Sequence, residues 1–140
     1  MWIGPGGPVV DRVVAMKLLR ALIVDPDGAV RSVMSKLLDR RAFDTVEAVD
    51  IVGALGFALD GSIDLIIADI DLDELDGLQL LRIIRNGSFG KSPPPVIVCS
   101  AILNEEIWTT HPALKGVTRL PKPFTSAAFT AALDQALPAG

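Results

Sequence analysis

Short apolar runs recur along this chain, each closed by polar residues and followed by a stretch with helical spacing. Ala21-Leu22-Ile23-Val24 is the first, stopped by Asp25-Pro26-Asp27-Gly28, and a run of that length ended by turn chemistry predicts a buried strand. Val30, Val33, Met34, Leu37 and Leu38 then fall at i, i+3, i+4, i+7 and i+8, one face of a helix that Asp27 is placed to cap. Thr45–Val49 alternates polar and apolar residues as an edge strand does. Asp50 can cap a second helix, in which Val52, Leu55 and Leu59 share a face, ending near Gly61. Ile63–Ala68 predicts the third strand, and Leu78, Leu81 and Ile84 a third helix that follows Gly77 and closes at Asn86-Gly87. A polar loop from Gly87 to Pro95 leads into a fourth strand, Val96–Cys99. Asn104 can cap a short helix through Glu105, Glu106, Ile107 and Trp108, which His111-Pro112 ends or kinks, since the residue before proline is driven out of the helical region. Val117–Leu120 reads as a fifth strand, mixed enough to be an edge. Phe129, Ala132, Leu133, Ala136 and Leu137 repeat the helical face, with Thr125 or Ser126 as cap.

Five strands alternating with five helices predict an α/β protein with a parallel sheet wound on both faces, three layers in all. The first, third and fourth strands are continuously apolar while the second and fifth alternate, as the order 2-1-3-4-5 demands of its interior and edges. In such a sheet ligands bind beyond the C-terminal ends of the strands, at the switch point between strands one and three. Ile63–Gly77 is the informative stretch. Its apolar run ends in Asp69, and Asp71, Asp73, Glu74 and Asp76 crowd the connection that follows. Carboxylates so close repel by roughly 1 kcal/mol per near pair even in water, so the cluster is either a solvated loop or a cation site. Its place at the mouth of a buried strand favours the cation.

Composition narrows the class. A chain of 140 residues makes one domain, expected over 18–140. Residues 1–17 read as a flexible extension because Gly4-Pro5-Gly6-Gly7-Pro8 is loop chemistry, although Val9, Val10, Val13 and Val14 also suit a short helical stripe. Half the residues are hydrophobic and 21% are charged, which argues against a disordered chain. The net charge of −4 argues against a nucleic-acid surface. The single cysteine, Cys99, has no internal partner for a disulfide and reads as a small buried hydrophobe in a reducing compartment. No apolar run reaches the ~20 residues of a membrane helix, and the first residues lack the apolar segment of a signal peptide. The expectation is a cytoplasmic protein, without membrane or nucleic-acid partners.

Four polar groups terminate four strands at one edge: Asp25 after the first, Asp69 after the third, Ser100 after the fourth and Lys122 just past the fifth. Magnesium takes hard oxygen ligands and keeps several waters, so one or two carboxylates and a phosphate suffice for it. A carboxylate can also attack phosphorus and form an acyl phosphate. A hydroxyl and an ammonium would then hold the oxygens of the transferred group.

From about Leu19 to Leu137 the chain resembles the receiver domain of bacterial two-component response regulators. The resemblance is carried by I-V-D-P-D-G-A-V-R, A-D-I-D-L-D-E-L-D-G-L-Q-L-L-R-I-I-R, V-I-V-C-S-A and L-P-K-P-F, in that order. It implies a flavodoxin-like, receiver-like fold in which Asp69 accepts a phosphoryl group from a sensor histidine kinase or phosphotransfer protein, assisted by Ser100 and Lys122. It implies magnesium held by Asp25, Asp69 and the backbone carbonyl of Asp71, and self-catalysed phosphotransfer and dephosphorylation at most rather than enzymatic activity. Three departures stand out. Pro26 replaces the second of two adjacent acids, with Asp27 open between a substitute ligand and a helix cap. Asp73 replaces a proline, and Arg119 stands where many receivers carry an aromatic switch residue.

No residues remain for an output domain, so the expectation is a stand-alone receiver signalling to an effector by protein contact. One alternative is a degenerate receiver that binds partners without phosphorylation. Another is a haloacid-dehalogenase-like phosphatase, in which Asp69-Ile70-Asp71, Ser100 and Lys122 would be the motifs, although only Asp134 follows the lysine. His111 is assigned no metal or catalytic role, and Trp108 is either core or a partner contact. Arg119 is expected to face outward and pair with an acid such as Glu105 or Glu106, because burying an unpaired guanidinium would cost several kcal/mol.

Overall fold

The computed structural model describes residues 18–70, 74–86, 93–101 and 104–137, with the backbone alone at 74–76. Five strands, β1 (Arg20–Val24), β2 (Asp44–Ala48), β3 (Leu65–Asp69), β4 (Val96–Ser100) and β5 (Thr118–Pro121), alternate with five helices. The helices are α1 (Gly28–Asp39), α2 (Ile51–Ala58), α3 (Glu74–Asn86), α4 (Glu105–Thr110) and α5 (Ser126–Ala136), and a 3-10 turn covers Pro112–Leu114. The strands are all parallel in the order β2-β1-β3-β4-β5, the doubly wound order expected.

Alternation along each strand divides the core in two. Leu22, Val24, Ile66, Ala68, Val96 and Val98 face α2, α3 and the 3-10 turn. Ala21, Ile23, Leu65, Ile67, Ile97, Cys99 and Leu120 face Met34 and Leu38 of α1 and Phe129, Ala132 and Leu133 of α5. Central strands with helices on both faces must be apolar on both, which is why β1, β3 and β4 read as unbroken hydrophobic runs.

The expected caps are in place. Asp27 accepts from the Ala29 N–H at 2.9 Å, Asp50 from Gly53, Asn104 from Ile107 and Thr125 from Ala128, each satisfying a donor the helix itself leaves orphaned. At His111 the backbone leaves the helical region, as its following proline requires, and its Nδ1 accepts from the Ala113 N–H at 3.1 Å to cap the 3-10 turn.

Three expectations need correction. Helix α3 starts at Glu74, one turn earlier than the apolar spacing after Gly77 suggested. Acidic residues suit the electropositive start of a helix, so composition marked as loop what the chain uses as its first turn. Helix α2 buries Ala54 and Ala58, while Val52 is 77% exposed and Leu59 is exposed too. Its sequence is apolar all round, so hydropathy selects no face, and the small alanines let the helix approach the sheet closely. On α1, Met34 and Leu38 are buried but Val33 is half exposed. Residues 1–17, Asp71 and Asp73 lie outside the described residues.

The stretch joining β3 to α3 is tied by a close contact. Ile70 is fully buried, and a Cβ built on Gly77 would lie 2.6 Å from the Ile70 Cβ and 2.7 Å from its Cα. Only a residue without a side chain lets the helix cross there. Gly56, in α2, has nothing within 4 Å of such a Cβ. Gly77→Ala is therefore expected to destabilise the protein by about 1–3 kcal/mol, the range for overpacking. Gly56→Ala should instead stabilise it by up to ~1 kcal/mol through helix propensity. Urea unfolding of both variants checks the pair, and equal shifts of the same sign would contradict the contact.

Candidate functional site

The edge where the strands end is assembled by the ladder running one residue beyond each strand. The Asp25 N–H donates to the Ala48 carbonyl at 3.1 Å, continuing the β1–β2 pairing past Val24. Asp69 closes β3 in register with Cys99 of β4, and the Ile70 N–H donates to the Cys99 carbonyl at 3.3 Å. Beyond β5, the Lys122 N–H donates to the Ser100 carbonyl at 3.0 Å. Backbone pairing therefore carries Asp25, Asp69, Ser100 and Lys122 to a common level.

Side chains complete the arrangement. The Lys122 ammonium donates to Asp25 Oδ2 at 2.9 Å and to Asp69 Oδ2 at 2.8 Å. Asp25 is 1% exposed, and the lysine side chain is 18% exposed. Two carboxylates this well shielded would repel strongly without a cation between them. Asp25 is held further by the Asp27 N–H, which donates to its Oδ1 at 2.8 Å. The Arg31 guanidinium donates to the backbone carbonyl of Asp25 and also pairs with Glu47. Ser100 is buried at the end of β4.

The same cation responds to its surroundings. Burial is the largest single influence on Lys122 and opposes its charge. The hydrogen bonds and charges of Asp69 and Asp25 together outweigh it, so the pKa stands above the ordinary lysine value.

The structure thus brings Asp25, Asp69 and Lys122 into direct contact, with Ser100 beside them. The Asp27 carboxylate is exposed and caps α1 through Oδ1, and it lines the same cleft as Lys122. For magnesium, the test is the donor set. Asp25 and Asp69 are hard oxygen ligands at adjacent strand ends, two being enough for an ion that keeps waters and takes phosphate oxygens. They fit the ion, as a sparse set. Among the described residues no three His, Cys, Asp or Glu side chains converge as a metal-binding group. The Asp71 carbonyl lies outside the described residues.

Arg119 alternates outward on β5, pairs with Glu105 at 2.6 Å and stacks over the Trp108 ring at 4.6 Å from its centroid. Its hydrogen bond holds the Glu105 carboxyl below the usual carboxylate range. The outward position and the acidic partner are as the sequence suggested. The stacking on Trp108 was missed, because residues eleven apart on different elements share no local pattern. The support given by Arg31, six residues along the chain, and the local turn in which the Asp27 N–H donates to Asp25 were missed as well.

The sequence profile of the response regulator receiver domain matches residues 21–134. The chain is similar to protein PilG of Pseudomonas aeruginosa, with 30% identity over 82 residues that make up 59% of this chain and 61% of PilG. It is similar also to protein-glutamate methylesterase/protein-glutamine glutaminase 1 of Anaeromyxobacter dehalogenans, 31% identical over 83 residues, 59% of this chain and 23% of that protein. The match thus spans less than two-thirds of either relative. Among solved structures, the chemotaxis response regulator CheY4 of Vibrio cholerae superposes with a TM-score of 0.74 at 24% identity, over 86% of this chain and 100% of that one. That likeness shows the fold. No helix among the described residues is long and apolar enough to cross a membrane.

Removing the ammonium leaves two shielded carboxylates without their cation. Lys122→Met is expected to lose about 3–5 kcal/mol of stability near neutral pH, the scale for breaking a buried pair. In the wild type the raised lysine pKa makes this contribution fall away on the alkaline side. Its contribution is complete below the ordinary lysine pKa and is lost only as pH climbs beyond that range. Urea unfolding across pH checks both, and a variant as stable as wild type at neutral pH would refute the shared-cation account.

Proposed function

The chain belongs to the response regulator receiver family, and on that premise we propose that Asp69 is its phosphoacceptor and that the phosphorylated chain signals through protein contacts. The observation that supports this best is the Lys122 ammonium joining Asp25 and Asp69 at the mouths of adjacent central strands. Receivers are in general signalling modules rather than enzymes, and the chemistry assigned here is transfer to the protein itself. An oxygen of the Asp69 carboxylate attacks the phosphorus of a phosphohistidine on a kinase or phosphotransfer protein. The P–N bond breaks as the O–P bond forms, and the imidazole nitrogen leaves with the electron pair and takes up a proton. Lys122 balances charge on the phosphoryl oxygens, and the Ser100 hydroxyl donates to one of them. Magnesium, when held by Asp25 and Asp69, would supply further neutralisation of the same oxygens.

Output belongs on the surface that Arg119, Glu105 and Trp108 form across α4 and β5. Arg119 is exposed and already satisfied by an acid and a ring, so its role there is recognition by a partner, not insertion into the core. A reducing, cytoplasmic setting accords with the single buried Cys99. A second reading has a specific observation behind it. Pro26 supplies no carboxylate and Asp27 is engaged as a cap, which favours a receiver that binds partners without being phosphorylated. Family membership leaves the phosphatase reading without support.

Treatment with a small phosphodonor and magnesium should raise the intact mass of the wild type by one phosphoryl group and leave Asp69→Ala unchanged. Failure of both a small donor and a phosphorylated kinase to label the wild type would favour the phosphorylation-independent reading. Equal labelling of the variant would remove Asp69 from the role.

Pro26→Asp restores a carboxylate where receivers commonly have one. It is expected to tighten magnesium binding by ~1–3 kcal/mol, the scale of one charge-assisted contact. Titration of both proteins with magnesium measures it, and equal affinities would mean that the third ligand is already supplied elsewhere in the chain.

A further inference from the structure

Far from the strand mouths, the last turns of α3 and the turn after α4 enclose a cleft of about 350 Å³. It is lined by Arg82, Arg85, Asn86, His111, Pro112 and Ala113. Helix α3 starts just after Asp69 and runs thirteen residues to Asn86, about 20 Å at helical rise. The 3-10 turn precedes the first residue of β5. The cleft therefore belongs to the N-terminal edge of the sheet, opposite the proposed phosphoacceptor.

Its chemistry is one-sided. Arg82 and Arg85 are three residues apart and share a helix face. Arg20, Arg31, Arg41 and Arg119 each pair with an acid, whereas among the described residues no carboxylate lies in salt-bridge range of Arg40, Arg82 or Arg85, and only the last two lie together. The Arg85 guanidinium reaches across to the turn before β5, where a Cβ on Gly116 would meet its Nη2 at 3.5 Å. His111 spends Nδ1 as an acceptor from the Ala113 N–H, so the proton of the neutral ring sits on Nε2 and makes it a donor. Among the described residues no acid lines the cleft. The end of α3 contributes only about half a negative charge from its dipole, and two whole guanidinium charges exceed it. In a chain of net charge −4, such a local excess of unpaired cation is not the general surface character.

We propose that this cleft binds the phosphate group of a small molecule. Guanidinium forks match phosphate oxygens two at a time, and the Asn86 amide and His111 Nε2–H provide donors from other directions. The volume exceeds that of a phosphate and falls at the lower end of the roughly 300–1,000 Å³ of small-molecule sites. Pro112 and Ala113 offer an apolar wall for the carbon part of an ester. The site is independent of the chemistry at Asp69.

Inorganic phosphate and glycerol 3-phosphate, titrated separately at physiological salt, distinguish the free ion from an ester. The readout is the amide resonances of the full chain. Saturating shifts at Asn86, Ala113 and Gly116 are expected, weakened at least about tenfold in Arg82→Gln/Arg85→Gln, as loss of a charge-assisted bond implies. Both arginines are exposed, so the double variant should melt as the wild type does. Tighter binding of the ester assigns the wall of Pro112 and Ala113 to its carbon chain, and equal binding assigns the site to the phosphate group alone. Shifts that do not saturate, that persist unchanged in the variant or that cluster at Asp69 and Lys122 instead would overturn the proposal. So would malonate binding more tightly than either phosphate.

Discussion

Two carboxylates shielded from water at neighbouring strand ends need a cation between them, and the architecture at this edge holds Lys122 in that place. Asp25 and Asp69 lie on β1 and β3, paired in the middle of the sheet, while Lys122 comes from beyond β5, two strands away from β3. Its reach depends on the ladder bond between its own N–H and the Ser100 carbonyl. A slip of one residue in that register would turn the lysine to the other face of the sheet. The cluster is therefore as dependable as the β4–β5 pairing, and no more so.

The sheet interior is dry on both faces, since every residue from Ala21 to Val24, Leu65 to Ala68 and Val96 to Cys99 is buried. At the end of β3, the passage of Ile70 under Gly77 fixes how closely α3 can approach. The chain leaving Asp69 is held by packing before its acidic stretch begins. Rigidity on one side of Asp69 thus comes from van der Waals contact, and on the other from an ion pair.

The outer surfaces follow different rules. Helix α2 presents Val52 and Leu59 to solvent because a helix apolar on every side cannot bury all of them against one sheet. On the opposite half of the molecule, Arg119 keeps its charge in water while resting on Trp108, so α4 and β5 are linked by a polar latch at the surface.

Local pattern determined a great deal of this protein. The alternation of five apolar runs with five helical faces settles the strand order, and the polar residue closing each run marks Asp25, Asp69, Ser100 and Lys122, since each signal is carried within a few neighbouring residues. The four caps were legible for the same reason. What tertiary structure alone decided lies between distant segments: which face of α2 is buried, the sharing of one ammonium by residues 97 and 53 positions away, and the convergence of α3 with the His111 turn. Asp27 shows the boundary between the two kinds of information. Its residue type suits both a cap and a metal ligand, and the folded backbone shows the cap, with Oδ1 accepting from the Ala29 N–H.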